Sequence, residues 1–149
     1  MKIVFVCTGN TCRSPMAEVY LSKLLKDREV EIESAGINTV DGLPASKNTA
    51  LVLASQGVNL DNHKSVMLDE KMVSKADLIL TMTSNHKEYV KILFPKAREK
   101  IFTLKEFAFD GTEANEDISD PFGQDKFVYE KTFLEIKYSI DEIIKRDKI

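Results

Sequence analysis

The sequence predicts an α/β domain: a four-stranded parallel sheet with helices on both faces. Three observations carry that expectation. Three short apolar runs, "KIVFV" at 2–6, "ADLILTM" at 76–82 and "KIFTL" at 100–104, and one alternating segment, "VEIES" at 30–34, read as strands. Segments of helical length and period separate them, which implies parallel pairing through crossovers. The 149 residues hold no internal repeat and no low-complexity linker, so they fit a single domain with a sizeable core.

Each element has its own signature. Residues 2–6 are apolar on both faces, as a central parallel strand should be. From Ser14 the pattern turns helical: Met16, Ala17, Tyr20, Leu21, Leu24 and Leu25 share one face, and Glu18, Lys23, Lys26 and Asp27 take the other. Ser14 suits a cap and Pro15 the first turn. The strand from Val30 alternates and ends at Ala35-Gly36. Pro44 is expected to open a second helix, carrying Ala50, Leu51, Val52 and Leu53 and stopping at Gly57. A short helix is expected over 68–75. Ala76 to Met82 forms the third strand, and Ser84 starts a helix that runs to Pro95. Lys100 to Leu104 is the fourth strand. Beyond a polar stretch at 110–120, a last helix over 126–145 presents Phe127, Phe133, Leu134, Ile136, Ile140, Ile143 and Ile144, read as a core-facing stripe.

Composition narrows the function classes. Apolar residues make up 43% and charged residues 30%, an ordinary globular balance. A formal net charge of −3, with lysines spread along helices, argues against a nucleic-acid partner. No run is long and apolar enough to span a bilayer, and the N-terminal run is too short for a signal-peptide core, so no membrane partner and a cytoplasmic location are expected. The two cysteines, Cys7 and Cys12, both lie in the opening motif, which does not suggest a disulfide framework.

That motif is "VFVCTGNTCRSPMAE" at 4–18, a strand ending in a thiol. In open parallel sheets ligands sit at the carboxyl ends of strands, where Cys7 lies. The five residues Thr8, Gly9, Asn10, Thr11 and Cys12 are enough to wrap an oxyanion with successive backbone N–H groups. The helix that follows adds its positive end. Gly9 permits unusual backbone angles and Asn10 can lock a turn through its side chain. Arg13 brings a planar fork suited to two phosphate oxygens, which lysine lacks. A cysteine beside a helix N-terminus and an arginine ionises more readily than a free thiol. A thiolate at the floor of an anion cradle is a phosphoryl-transfer site.

Competing readings are weaker. No Gly-Lys-Ser/Thr follows to make a nucleotide P-loop, and Gly9 stands alone where a dinucleotide fingerprint needs three glycines. Zinc has only Cys7, Cys12, His63 and His86 available, without recognisable spacing, so no metal site is expected. A buried structural cysteine beside a salt-bridging arginine accounts for neither the strand-loop-helix context nor the Gly-Asn pair. His63 is expected to hydrogen-bond a nearby loop, and His86 to be solvated in the first turn of its helix.

The chain resembles the low-molecular-weight protein-tyrosine-phosphatases. Besides the opening motif, "SAG" at 34–36, "NHKS" at 62–65, "ADLILTM" at 76–82 and "DPFG" at 120–123 carry the resemblance across essentially the whole chain. It implies that Cys7 is the nucleophile, forming a cysteinyl-phosphate, and that Arg13 binds the phosphoryl oxygens. Asn10 and Ser14 would hold the loop and stabilise the thiolate. Asp120 would be the general acid and then the base. No metal or organic cofactor is implied, and inorganic phosphate would be the product. Asp120 also stands out on its own residues: among Asp110, Glu113, Glu116, Asp117 and Asp120, it alone precedes a proline, and Phe122 beside it can wall a pocket.

Substrate choice turns on Thr11. Tyrosine-directed relatives usually carry a bulky aliphatic residue there, and "CTGNTCRSPMAE" resembles the bacterial protein-arginine-phosphatase branch. A polar, narrow wall suits a guanidinium, whose charge Asp120 can pair, better than a phenyl ring. Phosphorylated proteins, through phosphoarginine or alternatively phosphotyrosine, are thus the expected partners. A thiol-coupled arsenate reductase shares this fold and loop but needs a further cysteine pair, and no cysteine follows Cys12. A phospho-ligand-binding module has no use for a thiol and an acid together. Cys12 lies one loop from Cys7 and is expected to form a protective, reversible disulfide with it.

Overall fold

A computed structural model of the chain describes residues 1–60 and 62–149. Four strands, β1 (Lys2–Cys7), β2 (Glu31–Gly36), β3 (Leu78–Thr81) and β4 (Ile101–Thr103), form one parallel sheet in the order β2-β1-β3-β4. The α/β expectation, with helices on both faces, holds. Strand β1 is central, and Ile3, Val4, Phe5 and Val6 are fully buried. Their alternation sends Ile3, Phe5 and Cys7 to one face and Val4 and Val6 to the other. Complete burial of such a side chain contributes about 1.5–3 kcal/mol, so this strand anchors both cores.

The face under Phe5 is covered by α1 (Arg13–Leu24), α2 (Lys47–Ser55), α5 (Leu104–Phe109) and α6 (Lys126–Lys145). The face under Val4 is covered by α3 (Glu70–Lys75), α4 (Ser84–Leu93) and a 3₁₀ turn over Pro95–Lys100. The chain leaves β1 toward β2 on one side, while β3 and β4 lie on the other. The crevice at the end of β1 is therefore a topological switch point, where such folds bind ligands.

Several boundaries differ from expectation. The second helix begins at Lys47 rather than Pro44, because Ser46 caps it by accepting from the Thr49 N–H. Helix α5 was not anticipated: Leu104 read as the last residue of the fourth strand and 105–109 as part of no element, but a Thr103/Glu106 capping box starts a helix there. The stripe of α6 is narrower than expected, since Phe127 and Leu134 are largely exposed. Ser14 does not cap α1. That helix starts at Arg13 after Cys12, with no side-chain cap, and the Ser14 hydroxyl is turned to the cysteine loop. An uncapped N-terminus keeps its free N–H groups for a ligand.

Candidate active site

Loop 7–13 closes over a cavity of about 240 Å³ lined by Cys7, Thr8, Gly9, Thr11, Cys12, Arg13, Asn38, Asp120 and Phe122. The thiol of Cys7 is buried and meets Ser14 Oγ at 2.9 Å, and the Asn10 N–H donates to its sulfur at 3.3 Å. Asn10 is the keystone. It is fully buried and takes the left-handed conformation at φ 58°, the strained position expected for Gly9. Asparagine tolerates that region better than most residues, and here its side chain is held by bonds to other segments. Its amide donates to Ser14 Oγ at 2.8 Å and Ser34 Oγ at 2.9 Å, while its side-chain oxygen accepts from the Val66 N–H at 2.9 Å. Its backbone carbonyl bonds His63 Nε2 at 2.8 Å, the loop-holding part expected of His63. Ser34 in turn donates to Glu18, whose carboxyl is pushed up by burial against the opposing pull of that hydrogen bond.

The glycine this geometry requires is Gly36, at the end of β2. A Cβ there would come within 2.6 Å of the Thr8 carbonyl oxygen and 3.1 Å of the Gly9 carbonyl carbon. The segment after β2 closes the loop from outside: the Ile37 and Asn38 N–H groups donate to the Cys7 and Thr8 carbonyls, each at 3.0 Å, and the Ser46 N–H donates to the Thr11 carbonyl at 2.9 Å. Among the described residues, the N–H groups of Gly9, Thr11 and Cys12 meet no protein acceptor, as an anion cradle requires.

Arg13 joins the loop to the segment bearing Asp120. Its side chain is buried, Nη1 donates to the Ile118 carbonyl at 3.0 Å, and Nη2 lies 3.6 Å from the Asp120 carboxylate. Asp120 accepts from the Phe122 N–H at 3.1 Å, and Phe122 stands 72% exposed at the cavity mouth. Cys12 also lines the cavity, its sulfur 3.4 Å from Tyr129 Oη and 3.5 Å from Ser46 Oγ. Burial, followed by the hydrogen bond to Cys12, raises the Tyr129 phenol.

Residues 2–148 match the model of the low molecular weight phosphotyrosine protein phosphatases. The chain belongs to this family. It is 40% identical to a protein-arginine-phosphatase of Geobacillus stearothermophilus, over 97% of this chain and 95% of that one. It is 39% identical to a protein-arginine-phosphatase of Bacillus subtilis, over 99% and 97%. A solved YwlE arginine phosphatase, a cysteine-to-serine mutant with its active-site serine phosphorylated, is 38% identical. It superposes with a TM-score of 0.90, covering 99% of this chain and 96% of that one.

Within this family member, all ten residues singled out from the sequence gather at the loop or its cavity. Asn38, Ser34, Ser46, Tyr129 and His86 were missed, because each arrives from a distant segment. His86 corrects an expectation: it is buried rather than solvated, with Nε2 2.8 Å from Thr8 Oγ1. Burial first, and then the Arg13 charge, lowers its pKa to about 4. The signal was present, since His86 and Val90 are four apart and share the buried face of α4. Among the described residues no group of His, Cys, Asp and Glu is placed to hold a metal ion, and no helix is long and apolar enough to cross a membrane.

Proposed function

We propose that this enzyme is a cysteine-dependent protein phosphatase that hydrolyses phosphoarginine on cytoplasmic proteins through a cysteinyl-phosphate on Cys7. The observation that carries the reading is the convergence of a thiol, a buried guanidinium and a carboxylate on one small cavity. The Cys7 sulfur attacks phosphorus; the S–P bond forms as the P–N bond to the guanidino nitrogen breaks. Asp120 gives that nitrogen a proton. Water then attacks phosphorus, Asp120 takes its proton, the S–P bond breaks and inorganic phosphate leaves. The fork of Arg13 and the loop N–H groups hold the phosphoryl oxygens as charge redistributes.

Phosphoarginine is favoured over phosphotyrosine by the polar Thr11 in the cavity wall and by the activity named for the two relatives. The second reading is phosphotyrosine, favoured by Phe122, whose exposed ring offers an aromatic substrate a surface to stack on. Under peroxide, the Cys7 sulfenic acid condenses with the Cys12 thiol to a disulfide with loss of water, which thiols reverse.

Matched phosphoarginine and phosphotyrosine peptides test the specificity. A higher kcat/KM for phosphoarginine is expected. Thr11→Ile should shift the ratio of the two constants toward tyrosine by roughly 10–200-fold, the range for one small group in a pocket. A wild-type preference for phosphotyrosine would overturn the arginine assignment, and an unchanged ratio in the variant would remove Thr11 from it.

A further inference from the structure

We infer that His86 fixes the hydroxyl of Thr8 as a hydrogen-bond donor to a phosphoryl oxygen bound in the cavity. The inference rests on the phosphatase reading and adds to it a positioning residue and the substrate contact it sets. The two neighbours diverge where β1 ends: Cys7, its last residue, belongs to the core under α1 and α6, and the hydroxyl of Thr8, the first loop residue, meets His86 of α4, on the other face. Thr8 lines the cavity, and among the described residues His86 is the one partner of its hydroxyl.

The tautomer decides what that hydroxyl can do. The groups facing the ring are the Arg13 cation and the Asp117 and Asp120 carboxylates, and burial with the Arg13 charge keeps the ring neutral above about pH 4. One ring nitrogen then carries a proton and the other a lone pair. Nδ1 is buried and meets no hydrogen-bond partner among the described residues. A buried N–H without an acceptor is the costlier orphan and the rarer one in folded proteins; an unused lone pair is tolerated better. Nε2 therefore bears the hydrogen and donates to Thr8 Oγ1. The hydrogen of Thr8 cannot point back at His86, which leaves it free for an acceptor in the cavity that Thr8 lines. A guanidinium or an ammonium group has only donors and cannot use it, whereas a phosphoryl oxygen accepts it.

Three measurements test this on the full chain. Nitrogen-15 NMR of the wild-type ring should show a protonated Nε2 and an unprotonated Nδ1 at pH 7; the reverse tautomer overturns the inference. Orthovanadate affinity, which needs no knowledge of the phosphorylated substrate, should fall about tenfold in Thr8→Val, the scale of one hydrogen bond to a charged group. His86→Phe should cause a similar fall, and Thr8→Val/His86→Phe should add little, because the two act as one unit. His86→Gln, whose amide can still donate, should recover most of the affinity. Additive losses, or no recovery with glutamine, would mean that His86 only fills space. A wild type that binds vanadate but turns over neither phosphopeptide would sink the phosphatase reading instead, leaving the tautomer and the coupling to be judged separately.

Discussion

The loop after β1 and the segment bearing Asp120 face each other across one cavity, yet they are built in opposite ways. Asn10, Arg13 and Ser14 are almost wholly buried, and Asn10 alone bonds Ser14, Ser34, Val66 and His63. The Asp120 side chain is 55% exposed, and its segment is pinned just before it. There the Ile118 N–H donates to the Met82 carbonyl at 2.8 Å, the Ile118 carbonyl accepts from Arg13, and Ser119 donates to Glu135. The contrast fits the two tasks proposed for them, holding the phosphoryl oxygens and exchanging protons. Donors for an anion act best when fixed before the charge arrives. A group that meets first a leaving group and then water must stay accessible.

Breaking the buried side should have the largest effect. Cys7→Ser is expected to reduce turnover below detection while vanadate still binds, since Arg13 and the loop N–H groups remain. Substantial residual turnover would mean another nucleophile. On the exposed side, Asp120→Asn should cost roughly 10²–10⁴ in kcat with a poor leaving group. The loss should shrink for aryl phosphates that leave without a proton, and an equal loss for both would give Asp120 a structural part instead.

The third test asks what burial costs near the seam between the two regions. A histidine whose folded pKa lies below its unfolded value favours folding in its neutral form. That contribution is complete above about pH 6.5 and is lost as the pH falls toward 4. Urea unfolding at pH 7 and pH 4.5 should show a fall attributable to His86 of up to about 3 kcal/mol, flattened in His86→Gln. The comparison with that variant separates His86 from Glu18, which is shared by both proteins. An identical slope in the variant would assign the acid sensitivity elsewhere. The smallest effect concerns fit. Gly36→Ala pushes a methyl at the Thr8 carbonyl, and backbone cannot yield as a side-chain tip does. A loss of about 1–3 kcal/mol in stability is expected, with weaker vanadate binding; unchanged values in both would show the loop to be more yielding than its bonding implies.

Much of the site was legible because its residues are consecutive. A strand, a short loop and a helix put Cys7, Thr8, Gly9, Asn10, Thr11, Cys12, Arg13 and Ser14 around one point in any such fold. Asp120 and Phe122 were legible through the proline between them and by resemblance. The left-handed residue was misplaced because glycine is the default for that conformation. Here the bonds from Asn10 to Ser34 and Val66, two separate segments, make asparagine the better occupant.

By itself the sequence determined the strand periodicity, the α/β class and the gathering of residues 7–14 around one point, since all of these depend on neighbours along the chain. Tertiary structure alone decided which hydroxyls and carboxylates stand behind that loop. Sheet order brings β2 and β3 to either side of β1, and with them Gly36, Ser34 and His86. Their burial and partners come from contacts across the sheet, and a one-dimensional pattern holds no distance between residues so far apart in the chain.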